Sequence, residues 1–204
     1  SRILGADCCS GCGLCASLAP DAIKIQYSAT GYLRPHQVGE VARDADALIG
    51  DVCPGMRLDL PVSEAPNHVL WGPVIATRTG HATDSKLRHR ASSGGVLSAL
   101  LVHLLQTKSV DYILQIAAAD DFPARNTSVV SRSADDVWKA AGSRYAPSSP
   151  LEKLSDHLAR PGRFAVVGKP CDIAAVRALS ARDPRVDERI PILISFYCAG
   201  VPST

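Results

Sequence analysis

Apolar residues along this chain change rhythm near residue 73. Before that point the pattern is short and broken, with one alternating stretch, Ala22 to Tyr27 in "AIKIQY", that predicts a strand of a small hairpin closed at Thr30-Gly31. Beyond it, strand-like and helix-like segments take turns. Val74 to Thr79 reads as a short strand, and Gly95 to Leu105 as a strongly apolar helix opened by "ASSGG". Tyr112 to Ala117 and Thr127 to Ser131 are the next strands, followed by "SADDVWKAAG", a helix with Ser133 as N-cap and Gly142 as its stop. "EKLSDHLARPG" is a helix ended by Pro161-Gly162, "RFAVVG" a buried strand, "CDIAAVRALSA" a helix and "RIPILISFYC" a final strand. Such alternation predicts an α/β fold with a mainly parallel sheet. The stretch "DLPVSEAPNHVLWGP", carrying Pro61, Pro66 and Pro73, reads as a connector, which divides the chain into a short-looped unit over 1–60, a linker over 61–73 and an α/β domain over 74–204.

Composition narrows the function classes. With 204 residues and 46% hydrophobic content the chain is able to bury one or two ordinary cores. Its formal charge is only +2 and its basic residues are scattered, so no nucleic-acid partner is expected. No apolar run reaches the roughly 18 to 20 residues of a membrane span, and no basic segment followed by an apolar one opens the chain, so the expectation is a cytoplasmic protein. Seven cysteines, three of them tightly spaced, point to metal ligation rather than a disulfide framework. A start at Ser1 and an end at Thr204 read as a piece of something longer.

The stretch "CCSGCGLCASLAP" matches the cluster-binding run of a bacterial ferredoxin, C-x2-C-x2-C-x3-C-P, except that Ala19 stands where the fourth cysteine belongs. In that run the fourth cysteine serves the other cluster of a two-cluster protein. Cys9, Cys12 and Cys15 therefore need a remote thiolate followed by proline, and Cys53-Pro54 offers it. Counting back from Cys53 by the same spacing gives Ile49, Asp46 and Arg43, so a second cluster's ligands are gone. Both departures agree with one 4Fe-4S cluster on Cys9, Cys12, Cys15 and Cys53, in a ferredoxin-like unit where Gly11 and Gly13 supply backbone freedom. A structural zinc site and an empty, decayed site are the alternatives. Cys8 would break the spacing and reads as a spare thiol.

Two further loops have the context of a ligand site, since ligands of open α/β sheets bind outside the carboxyl ends of strands. In "RHRASSGGVLSALLVHLL", Ser92, Ser93, Gly94 and Gly95 precede a helix whose N-terminus favours an anion such as a pyrophosphate; the alternative is a plain serine N-cap with glycines for close packing. In "FAVVGKPCDIAAVRAL", Lys169 stands over a phosphate or flavin carbonyl, or else is a solvated turn residue beside a small buried Cys171. The six histidines show no metal-binding spacing. "DADALIGD" reads as solvated turns and faces, Trp71 and Trp138 as packing anchors, and Cys198 as a core cysteine in preference to one facing a cofactor.

In order along the chain, "CSGCGLC", "CPG", "WGP", "RHRASSGG", "GSRYAPS", "GKPCD" and "YCAGVPS" resemble the beta-subunit family of coenzyme F420 hydrogenases and dehydrogenases, which includes ferredoxin-dependent chlorophyll-type reductases. The resemblance implies an iron-sulfur flavoprotein oxidoreductase with FAD. It places Ser92 to Gly95, then Ser143, Arg144 and Tyr145, then Gly168, Lys169, Pro170 and Cys171 around the flavin. Implied partners are ferredoxin or a partner redox subunit, with coenzyme F420 or an organic substrate exchanging the electrons; a non-catalytic electron-transfer subunit and a zinc-stabilised binding module are the competing readings. Family members commonly carry a small hydroxyl residue in place of Lys169 and glutamine in place of Asp172, and continue into a C-terminal region beyond Thr204.

Overall fold

The sheet at the centre of the protein buries both of its faces. A computed structural model describes residues 2–58 and 64–203; Pro61 and the start of the predicted connector, with Ser1 and Thr204, lie outside the described residues. The sheet has the order β6-β5-β7-β8, from β5 (Tyr112–Ala118), β6 (Asn126–Ser131), β7 (Phe164–Gly168) and β8 (Ile192–Ser195). β5, β7 and β8 run parallel and β6 is an antiparallel edge. Successive side chains of a strand point to opposite faces. On β5, Tyr112 and Leu114 enter one apolar cluster and Ile113 the other; on β7, Phe164 and Val166 are divided from Ala165 and Val167 in the same way. This is why "RFAVVG" reads as a continuous apolar run.

One face is covered by α5 (Val96–Gln106) and α6 (Ala134–Lys139), through Leu101, Leu104 and Val137. The opposite face is covered by α7 (Leu154–Ala159), α8 (Pro170–Ser180) and α9 (Arg185–Arg189), through Leu154, Leu158, Val176, Leu179 and Val186. The cluster on that face also takes in Cys12, Leu14 and Val52 from the N-terminal segment. That segment contains α1 (Arg2–Gly5), α2 (Leu14–Leu18), the antiparallel hairpin β1 (Ile23–Tyr27) and β2 (Leu33–Gln37), and α3 (Arg43–Val52). Polar pins reinforce the apolar contact: the Ser149 hydroxyl donates to Gly11 O at 2.6 Å, Leu151 N–H to Cys12 O at 3.0 Å, and Ser155 N–H to Ser17 Oγ at 2.7 Å.

The hairpin, the two-faced sheet and the capped helices follow the apolar pattern, Ser133 included, whose hydroxyl accepts from Asp136 N–H. Other elements depart from it. "DADALIGD" lies within α3, a ten-residue helix that starts with Asp44 and Asp46 in its first turn, where the helix dipole favours acids, and sends Leu48 and Val52 into the core. Val74 to Thr79 forms no strand: Ile75 is exposed and the short pair β3 (Asn67–His68) and β4 (Gly72–Pro73) precedes it instead. α4 (Ser85–Arg90), capped by Asp84, and α9 are too short to show periodicity. The last strand stops at Ser195, and Phe196 and Tyr197 leave the sheet exposed. Trp71 anchors no core; it is 68% exposed, with its ring edge-on to Tyr197.

Leu154 is fully buried between the cysteine segment and the sheet, so Leu154→Ala is expected to lower unfolding stability by about 2 to 5 kcal/mol. Leu100→Ala, on the exposed side of α5, should stay within about 0.5 kcal/mol; urea denaturation of both variants checks this. His157 is packed against Tyr112 and Phe164, and burial, aided by Arg160, holds its imidazole below the usual value. The unfolded chain then takes up a proton first as pH falls, so this residue removes stability below about pH 6.5 and adds no slope above it. His157→Gln should flatten the pH dependence of the urea midpoint in that window.

Candidate functional site

Cys9, Cys12 and Cys15 lie on a loop wound through two left-handed glycines, Gly11 at φ 72° and Gly13 at φ 87°. A side chain at position 11 would meet Leu33 O at 2.9 Å, and one at position 13 would meet Glu152 N at 2.9 Å. Both glycines are therefore required twice over, by conformation and by close approach. Cys53 arrives at the end of α3, and the turn after it presses Gly55 against Cys8 O, where a Cβ would lie at 2.5 Å. The glycine of "CPG" is what lets the remote cysteine reach the triplet.

The four thiols feel one another. Cys53 disfavours ionisation of Cys9, Cys12 and Cys15, as Cys9 does for Cys15 and Cys15 for Cys12. Burial is the leading cause in each case, pushing Cys15 up to about 11 and Cys12 higher still. Backbone N–H groups of Gly11, Leu14 and Ala16 favour the thiolates of Cys9, Cys12 and Cys15 in turn. Burial and mutual repulsion favour the neutral thiols of Cys9, Cys12 and Cys15, so a cationic guest of soft-metal character would be what draws out their thiolates, and the donor set fits an iron-sulfur cluster. Among the described residues no three His, Cys, Asp or Glu side chains gather closely enough to hold a single metal ion. The sulfurs round a cubane stand farther apart than those round one ion, so this spacing does not conflict with a cluster.

Beside Cys9 opens a cleft of about 470 Å³, a size that suits a small ligand. It lies at the carboxyl ends of β7 and β8, as expected for an open α/β sheet, and is bounded by Lys169, Pro170 and Cys171 after β7 and by the segment from Cys198 to Val201 after β8. Arg34, Ser148, Ser10 and Tyr32 add to its polar lining. Cys198 is accordingly exposed on the cleft and not a core cysteine, because the strand ends before reaching it. Lys169 is not a solvated turn residue. Its side chain is 7% exposed, with Nζ 2.9 Å from Asp172 Oδ2 and 3.1 Å from Ser148 Oγ. Asp172 also accepts from the backbone N–H of Lys169 at 2.8 Å, which caps α8. Burial pushes the Asp172 carboxyl up, and the contact with Lys169 pulls it back. Cys171 is half-buried, its thiolate favoured by the Ser10 hydroxyl against a stronger upward push from burial.

The other predicted residues do not line this cleft. Ser92 to Gly95 form a turn in which Ser93 has φ 51°, Gly94 φ 70° and Gly95 φ 74°. The glycines pack on His81 and Ala82, but neither serine caps α5 through its side chain, so the alternative reading of this loop is met in its packing and not in its capping. Ser143 and Tyr145 are exposed. Arg144 is engaged with Asn126, Pro123 and Arg125 on the β5–β6 connection. Sequence reasoning missed Arg34, which carries no motif, did not single out Ser148 at the end of "GSRYAPS", and gave Asp172 no structural role.

Two models of the coenzyme F420 hydrogenase/dehydrogenase beta-subunit family match the chain, the N-terminal one over residues 77–155 and the C-terminal one over residues 162–204. The chain belongs to this beta-subunit family. Among its relatives is one subunit of the F420H2 dehydrogenase of Methanosarcina mazei, 23% identical over 97% of this chain and 55% of that protein. Another is the beta subunit of the F420-dependent formate dehydrogenase of Methanocaldococcus jannaschii, 30% identical over 60% of this chain and 32% of that protein. The chain thus spans about half the length, or less, of these relatives. A chain of the F420-reducing [NiFe] hydrogenase complex from Methanosarcina barkeri superposes with a TM-score of 0.53 at 25% identity, over 58% of this chain and 42% of that one. Both family matches begin after Cys53, so the cysteine site stands on its own geometry. Among the described residues no helix is long and apolar enough to cross a membrane.

In the full-length protein, Cys53→Ser is expected to lose iron as completely as Cys12→Ser, and Cys8→Ser to keep it. Gly55→Val alters no thiol yet should also lose iron, because its side chain displaces the Cys53 turn. Iron per protein after anaerobic purification measures all four.

Proposed function

We propose that this chain is the electron-transferring part of an F420-linked iron-sulfur flavoprotein oxidoreductase. In this reading Cys9, Cys12, Cys15 and Cys53 hold a 4Fe-4S cluster, and the cleft beside Cys9 holds the isoalloxazine of FAD. The observation that carries it is the cleft itself, where a cluster ligand and the β7–α8 loop that the family resemblance assigns to the flavin bound one space. A flavin exchanges electrons singly or in pairs, which matches a one-electron cluster to a two-electron partner. The relatives' names point to coenzyme F420 as that partner, with a further redox subunit supplying or taking electrons; the family resemblance adds a ferredoxin-linked organic substrate as the alternative.

The chain's own residues have definite tasks here. Gly11, Leu14 and Ala16 N–H groups favour the thiolate forms that ligate. Arg34, hydrogen-bonded to Asp7 at 3.1 Å, favours the thiolate of Cys9 from the cleft side. The left-handed turn at Ser92 to Gly95, with Ser93 in a conformation that costs energy, supports an anion cradle for the pyrophosphate at the start of α5. A second reading, a relay subunit without flavin, is favoured by one observation: Ser92 to Gly95 and Ser143 to Tyr145 do not line the cleft.

Absorbance, iron and flavin content of full-length protein purified without oxygen separate these readings. Flavin bands with a broad cluster shoulder support the first, a shoulder alone the relay, and a colourless protein overturns both. Ala199→Trp, which blocks the cleft from an exposed segment, should lose most of the flavin and keep the iron. Ser92→Glu, at an exposed position of ordinary φ, should do the same by repelling a pyrophosphate.

A further inference from the structure

A buried ion pair seldom stabilises a fold, since desolvation of the two charges offsets their attraction. Lys169 and Asp172 are such a pair, with side-chain exposures of 7% and 1%. Their placement is not symmetrical with respect to the site. The ammonium reaches the wall of the cleft, where two of its three N–H groups go to Asp172 and Ser148. The carboxylate lies behind it, within electrostatic reach of the Cys12 thiol, and its Oδ1 is buried with no hydrogen-bond partner among the described residues. That orphaned oxygen is a cost that the α8 cap does not require, because Oδ2 alone accepts the capping N–H. Position 170 is a proline, so the first turn of α8 offers the carboxylate no further donor there. Among the described residues the cleft is lined by two cations, Arg34 and Lys169, and by no carboxylate. Positive charge from Arg34 and Lys169 thus lines the cleft, while Asp172 acts from behind it on Cys12 of the cysteine loop and on Cys171 at the start of its own helix.

We propose that the Lys169–Asp172 pair is a built-in field that favours electron movement from the cysteine loop into the cleft. This rests on the cluster and flavin reading above. In that reading an electron given up by a reduced cluster held by the cysteines would be taken up by a flavin in the cleft, one for one. Asp172 raises the energy of an added electron beside Cys12, and Lys169 lowers it in the cleft. Away from bulk water a charge is screened less and acts over a longer range. The third Lys169 N–H is the donor that meets an electron-rich acceptor of the guest. The pair acts as a positioning charge and touches neither the cluster iron nor a transferred proton.

The test is the double variant Lys169→Met, Asp172→Asn in the full-length protein. It removes both charges together, avoiding a lone buried ion, and leaves an amide oxygen to cap α8. Midpoint potentials come from redox titration, the cluster followed by electron paramagnetic resonance and the flavin by absorbance. The cluster potential should rise and the flavin potential fall, changing the electron's partition on the order of tenfold, about 59 mV for a one-electron couple. Lys169→Arg should keep the flavin potential near wild type. If the double variant does not fold, Asp172→Asn alone should still raise the cluster potential. Unchanged potentials in a variant with normal iron content overturn the proposal. A wild-type protein with cluster and no flavin overturns the flavin reading only, and the cluster arm then decides the field. A wild type that builds no cluster overturns both.

Discussion

The seating of the cysteine loop on the segment from Ser149 to Ser155 holds the site together. Three chain-distant contacts, from Ser149 to Gly11, from Leu151 to Cys12 and from Ser155 to Ser17, fix the loop's backbone, and Leu14 drives into the same apolar cluster as Leu151 and Leu154. Gly13 makes this possible by carrying no side chain where Glu152 passes. Everything chemical depends on that seating. It places Cys9 at the rim of the cleft, sets Cys12 within electrostatic reach of Asp172, and fixes the surface that Gly55 must meet for Cys53 to arrive.

The candidate ligand set was legible in the sequence because thiolate spacing is local for three of its members and because the fourth is marked by proline and glycine. The two-faced sheet was legible for a similar reason, since "FAVVG" allows no polar face at all. What escaped was long-range. Nothing near Ser17 announces Ser155, and nothing in "DADALIGD" announces a helix except Leu48, paired with Val52 just after it, a spacing that matters only once a core exists to receive them. Trp71 and Cys198 were misread because burial was assumed from residue type, whereas Trp71 sits in the exposed turn between β3 and β4 and Cys198 follows the end of β8.

Lys169 shows a different limit. A lysine after a strand and before a helix reads as solvated or ligand-facing by default, and the side chain that would decide between them is three residues on. Asp172 turns a turn lysine into a buried one by meeting it at 2.9 Å, and Ser148, at the end of "GSRYAPS", completes the arrangement. The α8 capping interaction and the charge pair are the same carboxylate used twice, so neither is visible without the other.

Cys12 is both a member of the apolar core and one of the four thiols, while Cys9 opens on the cleft. In the proposed reading, iron and sulfide arriving from solvent would have the cleft as an approach to Cys9, and a guest seated there would stand across it. Loading would then follow an order, metal before guest, and repair of an oxidised centre the reverse one. The same opening would serve as the door for the first group, with the second as its bolt.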